Sequence, residues 1–447
     1  MASPETSPSS APPPLALGLR LNLSGMMFLQ FAVWGAWFVV QANFLGAMNF
    51  SEPQIGNIYA TMYLGAMLSP IFIGQIADRY FASEKLMALL HILGAGALYW
   101  MATLSDPTVY YWAALVYALA YSPTLALSNS VAFTHVPDAT RDFPGVRVLG
   151  TIGWIIAGLV LTVLLRVFAD SADPQTLAGW SVTLGGTRLT LPLLFAAGLS
   201  LVLGVWSFFL PHTPPTGKAG DALPFLRAVS LMREPSFGVF YGVSFIITIA
   251  LSFYYTWTGP FLQNGPPKVE GANVSSIMAI GQGAEIFFLV LLPLFLRWLG
   301  MKWVLALGMA AWGVRYGIFA LGEPFVLILL GIALHGICFD FFLAAGFIYV
   351  DNESPKDIRA SAQALFGFLT YGAGMYLGSV LSGYVAKMFT TNGVINWTSF
   401  WIVPAIGVTL SLLVFVVFFR EAAKKPELGE QAEGSRLRVE PEFRGGS

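Results

Sequence analysis

The chain contains about a dozen long hydrophobic runs, and this feature limits its fold more than any other. Each run holds roughly 20 residues, the length that an α-helix needs to cross the hydrocarbon core of a bilayer. Inside a bilayer the backbone must satisfy its own hydrogen bonds, as a helix does. The sequence therefore predicts an all-α membrane protein with twelve transmembrane helices. The predicted spans, numbered 1 to 12, are 23–48, 54–77, 86–104, 109–134, 148–168, 191–210, 237–262, 273–299, 303–321, 324–350, 360–389 and 397–419.

The composition supports the same class. Of 447 residues, 56% are hydrophobic and 11% are charged, whereas soluble domains carry about 25% charged residues. A chain of this composition cannot cover its own surface with polar groups in water. The formal net charge of −1 offers no basic surface to the phosphates of nucleic acid, so we expect no nucleic-acid partner. The single cysteine, Cys338, cannot form an intrachain disulfide.

Two polar tails and one polar loop divide the chain. Residues 1–20 are rich in proline and serine and lack the basic start and apolar run of a signal peptide, and residues 421–447 are charged. Both tails are predicted to be disordered. The longest polar interruption, residues 212–236, lies between spans 6 and 7. We interpret it as a cytoplasmic loop between two six-helix halves, residues 21–211 and 237–420.

The two halves are similar at the entrance to their fifth spans. The segment RDFPGVRVLG before span 5 is matched by PKDIRASAQALFG before span 11, at an offset of about 210–215 residues. Repeated halves around a site at the bilayer midplane are typical of transporters that work by alternating access. Alternatively, this spacing is a coincidence in a membrane protein with many spans.

The basic residues predict the orientation, because cytoplasmic loops carry an excess of lysine and arginine. With the N-terminus in the cytoplasm, the cytoplasmic side carries Arg79, Lys85, Arg141, Arg147, Lys218, Arg227, Arg233, Arg297, Lys302, Lys356 and Arg359. The opposite side has only Arg166, Arg188, Lys268 and Lys387. We therefore expect both termini to be cytoplasmic in a plasma (inner) membrane protein.

Few charged residues fall inside the spans, and each is a candidate functional residue because an intramembrane charge is costly. Glu285 lies near the middle of span 8, Asp340 near the middle of span 10 and Arg315 in span 9, with Arg147 at the mouth of span 5. An apolar environment disfavours the ionised form of a carboxyl group. Glu285 and Asp340, with Gln282 beside Glu285, are predicted to form a proton site, a solute site or both. The alternative is a buried ion pair of either acid with Arg315.

Aromatic and polar side chains share several spans. Spans 1, 4 and 7 combine aromatic rings with amides and hydroxyls, which suits a neutral, flat, polyhydroxylated solute. The candidates on these spans are Gln30, Trp34, Trp37, Gln41, Tyr121, Thr124, Asn129, Ser252, Tyr254, Tyr255, Thr256 and Trp257. Alternatively, most of these aromatic rings face lipid or pack between helices.

The loop after span 2 carries a short motif. In the segment GQIADRYFASEK, Gly74, Asp78 and Arg79 resemble the G-x-x-x-D-R signature of the major facilitator superfamily. In that superfamily the loop latches the cytoplasmic side of the N-terminal half. The later basic part of the signature is reduced here to Lys85.

A closer resemblance covers nearly the whole chain. Its motifs, in order, are FLQFAVWGAW, AYSPTLALSN, DFPGVRVLGTIGW, AAWGVRYGIFALGEP, GICFDFF and RASAQALF. Together they resemble the nucleoside:proton symporter family of the major facilitator superfamily. The resemblance implies nucleoside uptake driven by the proton gradient. It also implies that an acid couples protons, and that the solute cavity is lined by Arg147, Thr151, Gln282, Glu285, Phe339 and Asp340.

The resemblance has a departure that bears on specificity. Where bacterial nucleoside permeases of the family present a glutamine and an asparagine, this chain has Ser252 and Tyr255, and His335 replaces a tyrosine. The chain could therefore carry a related sugar-like or nucleobase-like solute. A transport-inactive solute sensor with a carrier fold is a further alternative.

Other function classes lack their motifs. The only Gly-Lys pair, Gly217-Lys218, is followed by Ala219 and so does not end a phosphate-binding loop. Neither a Gly-x-Ser-x-Gly elbow nor a His-Glu-x-x-His motif occurs, and the four histidines are far apart. We expect a monomeric carrier in the lipid bilayer that is not an enzyme and uses no cofactor or metal.

Overall fold

The computed structural model describes residues 13–69, 80–173, 175–215 and 223–421. Most of the described residues are helical. The helices before the central loop are α1 (Leu17–Gly35), α2 (Gln41–Ala47), α3 (Glu52–Ser69), α4 (Ser83–Ala102), α5 (Pro107–His135), α6 (Ala139–Phe168) and α7 (Leu191–Ser207). Helix α1 thus begins within the segment that the sequence assigns to the N-terminal tail. Short 3-10 helices lie at Phe38–Val40 and Leu177–Trp180.

The second half contains several interrupted helices. They are α8 (Pro235–Asn264), α9 (Val274–Leu321), α10 (Phe325–Ala333), α11 (His335–Cys338), α12 (Ala345–Glu353), α13 (Arg359–Gly367), α14 (Met375–Met388) and α15 (Trp397–Phe418). Short 3-10 helices precede α8 (Pro224–Arg233) and α9 (Gly271–Asn273). Two π-helical segments, Phe339–Ala344 and Phe368–Gly374, join α11 to α12 and α13 to α14. Wide π turns of this kind are frequent at functional sites.

Local sequence accounts for where several helices begin and end. Asp106 accepts hydrogen bonds from the backbone amides of Thr108 and Val109 at the start of α5, and Asp138 does the same at the start of α6. Such caps satisfy amides that have no partner inside the helix. At the other end, Gly322 adopts φ 76° after the last turn of α9, a left-handed conformation that glycine tolerates.

Helix α9 is long because two helices meet without a loop. It runs for 48 residues and has a break at Gly300, where φ is 76° and ψ is 168°. Within the described residues, eight helical segments are long and apolar enough to span a membrane, and the stretch with this break counts as one. Helices α3 and α5, rich in tyrosine and small polar residues, and the 17-residue α7 are not among these eight. The class of helical membrane protein is confirmed, and the count of twelve stays a prediction.

Two small hairpins connect helices. Strand β1 (Ser181–Leu184) pairs antiparallel with β2 (Thr187–Thr190), and β3 (Thr390–Thr391) pairs with β4 (Val394–Ile395). The first hairpin follows α6 and is tied to it by Asp170, which accepts hydrogen bonds from the amide and hydroxyl of Thr183. These hydrogen bonds hold the pKa of Asp170 below its usual value, because they stabilise the carboxylate.

The two halves pack against each other along two pairs of helices. Helix α3 contacts α14, and α6 contacts α9. At the first contact the backbones nearly touch, since a Cβ atom on Gly383 would lie 3.2 Å from the Cα atom of Gly56. The second contact includes a hydrogen bond of 2.5 Å between the hydroxyls of Thr162 and Ser276. The candidate site lies between these two contacts.

Candidate functional site

A cavity of about 300 Å³ lies between the two halves. The first half contributes Phe31, Trp34, Phe38, Met62, Tyr63, Ala66, Ser122, Leu125, Arg147, Thr151 and Trp154. The second half contributes Tyr255, Gln282, Glu285, Phe339, Tyr371 and Met375. Aromatic rings dominate this lining, with a few polar groups among them. This combination is typical of sites for small organic ligands.

Helix α6 presents one face to the cavity. Arg147, Thr151 and Trp154 lie four and three residues apart and therefore project from the same side of the helix. The guanidinium carbon of Arg147 lies 4.1 Å from the centroid of the Phe31 ring, a cation–π contact with α1. This contact holds the charged group at the cavity wall.

The opposite wall carries the carboxyl group of Glu285. Gln282 and Glu285 are three residues apart on α9 and both line the cavity. The side-chain oxygen of Gln282 is buried and has no hydrogen-bond partner among the described residues. Arg147 and Glu285 are within electrostatic range of each other across the cavity. A solute between them would meet a cation on one side and an acid and an amide on the other.

Asp340 lies next to this wall. Its neighbour Phe339 lines the cavity, whereas Asp340 is 1% exposed and is absent from the lining. Both residues belong to the π-helical segment Phe339–Ala344. One oxygen of Asp340 has no partner among the described residues, and its carboxyl group interacts electrostatically with that of Glu285. The two acids are thus electrostatic neighbours, and of the two only Glu285 lines the cavity.

Most sequence candidates on spans 1, 4 and 7 lie away from the cavity lining, and Gln30, Tyr121 and Asn129 are among them. Gln30 is fully buried and bonds with its side chain to Thr124 at 2.8 Å and to His91 at 2.9 Å. The hydroxyl of Tyr121 donates to the backbone oxygen of Gln30 at 2.6 Å. Asn129 is half-buried further along α5. These hydrogen bonds link α1 with α4 and α5 outside the cavity lining.

On span 7, Ser252 and Tyr255 stand where family members have amides, and only one of them lines the cavity. Tyr255 lines the cavity, and its ring lies 6.1 Å from that of Phe38 in the other half. Ser252 is fully buried and donates to the backbone oxygen of Met375 at 2.8 Å. The serine thus packs helices together, whereas the tyrosine faces the place where a solute would bind.

Several cavity residues have no counterpart among the sequence candidates. Those with aromatic rings are Phe31, Phe38, Tyr63, Trp154 and Tyr371. The i, i+4, i+7 spacing of Arg147, Thr151 and Trp154 could have identified the tryptophan. Nothing in the local sequence marks Tyr63 or Tyr371, because only the packing of α3 and of the segment Phe368–Gly374 brings them to this cavity.

The sequence also led to two hypotheses about charged residues, a cytoplasmic latch and an ion pair of Arg315. Gly74, Asp78 and Arg79, the predicted latch, lie outside the described residues. Arg315 is fully buried, and among the described residues no carboxylate lies within salt-bridge distance of it. The alternative of an ion pair between Arg315 and Glu285 or Asp340 is therefore not supported in this conformation.

Hydrogen bonds between the halves lie beyond one end of the cavity, among residues outside its lining. Asn43 donates to Gln263 at 2.6 Å, and Arg166 donates to Asn273 at 2.7 Å. Together with the Thr162–Ser276 bond, these contacts join α2 to the end of α8, and the end of α6 to the start of α9. We call this the distal side, since α1 begins and α15 ends at the other side.

The sequence as a whole matches one known family. The family described as "Nucleoside H+ symporter" matches residues 17–424. The chain belongs to this family of nucleoside:H+ symporters. This symporter is accordingly an integral membrane transporter of nucleosides and protons, and not an enzyme. The family that the sequence motifs predict is thus confirmed.

Relatives from Escherichia coli (strain K12) cover most of the symporter. The protein named "Putative nucleoside transporter YegT" is 39% identical over 415 residues, which are 90% of this chain and 94% of the relative. The protein named "Xanthosine permease" is 32% identical over 431 residues, which are 92% of this chain and 98% of the relative.

Solved structures show the same fold. The crystal structure of nucleoside transporter NupG superposes with a TM-score of 0.79 at 28% identity, and the match covers 91% of this symporter and 100% of that chain. The POT family transporter PepTSo matches with a TM-score of 0.67 at 13% identity, over 95% of this chain and 99% of that chain. The second likeness shows the fold alone. Both support the major facilitator class of the predicted fold.

Proposed function

We propose that the cavity between the halves is the site at which this symporter binds a nucleoside during proton-coupled uptake. The observation that carries the proposal is the meeting of Arg147 and Thr151 from one half with Gln282 and Glu285 from the other. A solute bound to both halves couples their movement, because its affinity depends on how the halves stand relative to each other. In a symporter family, this is the position where binding can drive alternating access.

The cavity suits a nucleoside in size and chemistry. Its volume of about 300 Å³ is at the lower end of the range for ligand pockets. The rings of Trp34, Trp154 and Tyr255 offer flat apolar surfaces for a base. Arg147, Gln282 and Glu285 offer donors and acceptors to ribose hydroxyls and base edges.

We infer that Glu285 and Asp340 share the coupling proton. The two carboxyl groups interact electrostatically, and the ionisation of one disfavours the ionisation of the other. Arg147 faces Glu285 from the other half, so a movement of the halves changes the charge next to the acid pair. Proton binding and the position of the halves are thereby linked.

We propose that the chain crosses the membrane twelve times, as the sequence predicts. Twelve crossings would follow from the eight apolar segments if the break at Gly300 separates two crossings and α3, α5 and α7 also cross. The halves would be residues 21–211 and 237–420, with the loop 212–236 and both termini in the cytoplasm. The distal contacts would then face away from the cytoplasm, in a monomer within the lipid of the inner membrane.

A second candidate differs only in the solute. Ser252 is engaged with Met375 and leaves Tyr255 as the polar group of span 7 at the cavity. One hydroxyl on a bulky ring presents fewer hydrogen-bonding groups than an amide. This favours a nucleobase-like or sugar-like solute as the alternative.

The test is uptake by purified protein in proteoliposomes. We expect labelled uridine or adenosine to exchange without a proton gradient and to accumulate when the outside is acidic. Glu285→Gln should reduce accumulation, and empty liposomes serve as the control. Exchange of hexoses but not of nucleosides would contradict the proposal, and so would exchange of neither.

A further inference from the structure

Arg315 is a fully buried cation without a carboxylate partner, and its surroundings explain what it does. Its Nε atom donates to the backbone oxygen of Gly331 at 2.9 Å, and a terminal nitrogen donates to that of Ile332 at 3.4 Å. Its guanidinium carbon lies 3.6 Å from the centroid of the Tyr254 ring. The guanidinium group thus contacts an aromatic ring and two backbone oxygens instead of a carboxylate.

The two oxygens belong to the last turn of α10 (Phe325–Ala333), just before the break at Leu334. In an unbroken helix these oxygens would accept from amides four residues further on. The carbonyl end of a helix also carries a partial negative charge, which attracts a cation. The amide of Leu334 also donates to the oxygen of Ile332. Arg315 therefore supplies a donor to the oxygen of Gly331 and places a positive charge at the end of α10, which stabilises the interruption.

The same face of helix α9 contacts this chain segment at two further places. Trp312, one turn before Arg315, donates its indole N–H to the backbone oxygen of Cys338 at 3.1 Å. Another turn back, a Cβ atom on Gly308 would lie 2.9 Å from backbone atoms of Phe341 and Phe342, so the two backbones are in direct contact. The segment between Gly331 and Phe342, which includes Phe339 and Asp340, is therefore held by α9 along its whole length.

We propose that Arg315 is a positioning residue for transport. It fixes the angle between α10 and α11, and through α11 it sets where Phe339 and Asp340 stand relative to the cavity. The inference rests on the proposed function in that these two residues serve the solute and the proton. Arg315 itself contacts neither the cavity nor the acids.

The chain's single cysteine provides a readout that does not depend on transport. Cys338 is fully buried directly before Phe339, so its reaction with N-ethylmaleimide measures local opening of this segment. We compare wild type with Arg315→Lys, which keeps the charge and can reach one oxygen, and Arg315→Met, which keeps neither. Lys302→Met is the matched control. Lys302 donates to the backbone oxygens of Val416 and Phe419 at the end of α15, a helix that contributes none of the cavity residues.

We expect Cys338 to react about tenfold faster in Arg315→Lys than in wild type, and faster still in Arg315→Met, with Lys302→Met unchanged. The KM for labelled uridine should rise about tenfold in Arg315→Lys, and the pH profile of uptake should shift, because Asp340 is displaced. All variants are compared as monodisperse purified protein.

If Arg315→Lys has the same thiol reactivity, KM and pH profile as wild type, the proposal is overturned, even if Arg315→Met does not fold. Equal effects in Lys302→Met would also overturn it, because the effect would then be general destabilisation. If no variant, including wild type, transports uridine, the proposed function fails, whereas the reactivity of Cys338 still decides whether Arg315 holds this segment.

Discussion

At the scale of single residues, the site depends on a few charges placed between aromatic rings. Arg147 is held against Phe31 in one half, and Glu285 lies in the wall of the other half beside Asp340. Ionised groups are costly in such surroundings unless they are paired or used. The structure shows no salt bridge of these three residues within the described chain. We therefore expect these groups to interact with solute and proton.

The acid pair leads to the first prediction. Asp340→Asn and Glu285→Gln keep the shape of the side chains and remove the exchangeable proton. We expect both variants to lose uphill uptake of nucleoside in proteoliposomes with an imposed proton gradient, and at least one to retain counterflow. Exchange without accumulation is the signature of lost coupling. Accumulation at the wild-type level in both variants would show that neither acid couples protons.

Arg147 leads to the second prediction. Arg147→Lys keeps the charge but loses the planar group that can donate several hydrogen bonds. Loss of a hydrogen bond to a charged group in a buried site costs about 1.5–3 kcal/mol, which corresponds to a roughly tenfold to hundredfold rise in KM. Competition of nucleosides against one labelled solute measures the effect. An unchanged apparent affinity would limit Arg147 to a role in topology.

At the scale of elements, breaks in helices place the site residues. Phe339, Asp340 and Tyr371 all belong to π-helical segments. Each segment widens one turn, which leaves backbone groups without regular partners and turns side chains from the ordinary helical face. The break of α9 at Gly300 has another effect, since it lets two apolar helices follow each other directly.

The third prediction concerns this break. At φ 76° and ψ 168°, Gly300 has a conformation that is essentially limited to glycine. Gly300→Ala should therefore destabilise the protein by about 1–3 kcal/mol, seen as a lower unfolding temperature in detergent. Gly317→Ala is the control, because Gly317 is helical and an added Cβ there meets nothing within 4 Å. A larger loss of stability in the control than in Gly300→Ala would refute the argument.

At the scale of the whole molecule, the two halves meet on the distal side, and the cavity lies behind that contact. Asn43 and Gln263, and Thr162 and Ser276, join the halves there through hydrogen bonds. If transport proceeds by alternating access, these bonds must break when the cavity opens distally. Their polar character permits this, since water can replace each partner.

The fourth prediction is that locking this contact stops transport. The hydroxyls of Thr162 and Ser276 are 2.5 Å apart, so cysteines at both positions can approach disulfide geometry. In a Cys338→Ala background, Thr162→Cys with Ser276→Cys should lose uptake by more than about tenfold under oxidation and regain it with a reductant. Each single cysteine variant is the control. Equal uptake by the cross-linked and reduced protein would show that the distal contact does not need to open.

The amino-acid sequence by itself determined the class, the family and the polar residues inside the membrane. Length and hydrophobicity of a span are properties of consecutive residues, and the cost of an intramembrane charge marks Glu285, Asp340, Arg315 and Arg147 without any knowledge of packing. Spacing along one helix also placed Gln282 beside Glu285, because residues three apart share a face.

Only the tertiary structure decided which of these residues meet. Ser252 and Tyr255 are three apart on one helix, yet one packs against Met375 and the other lines the cavity. Gln30 and Tyr121 are engaged behind the wall, whereas Tyr63, Trp154 and Tyr371 form part of it. Helix crossings and π turns set these positions, and they depend on contacts between residues far apart in the chain. Periodicity describes one helix at a time, so it identified the faces of helices but not their neighbours.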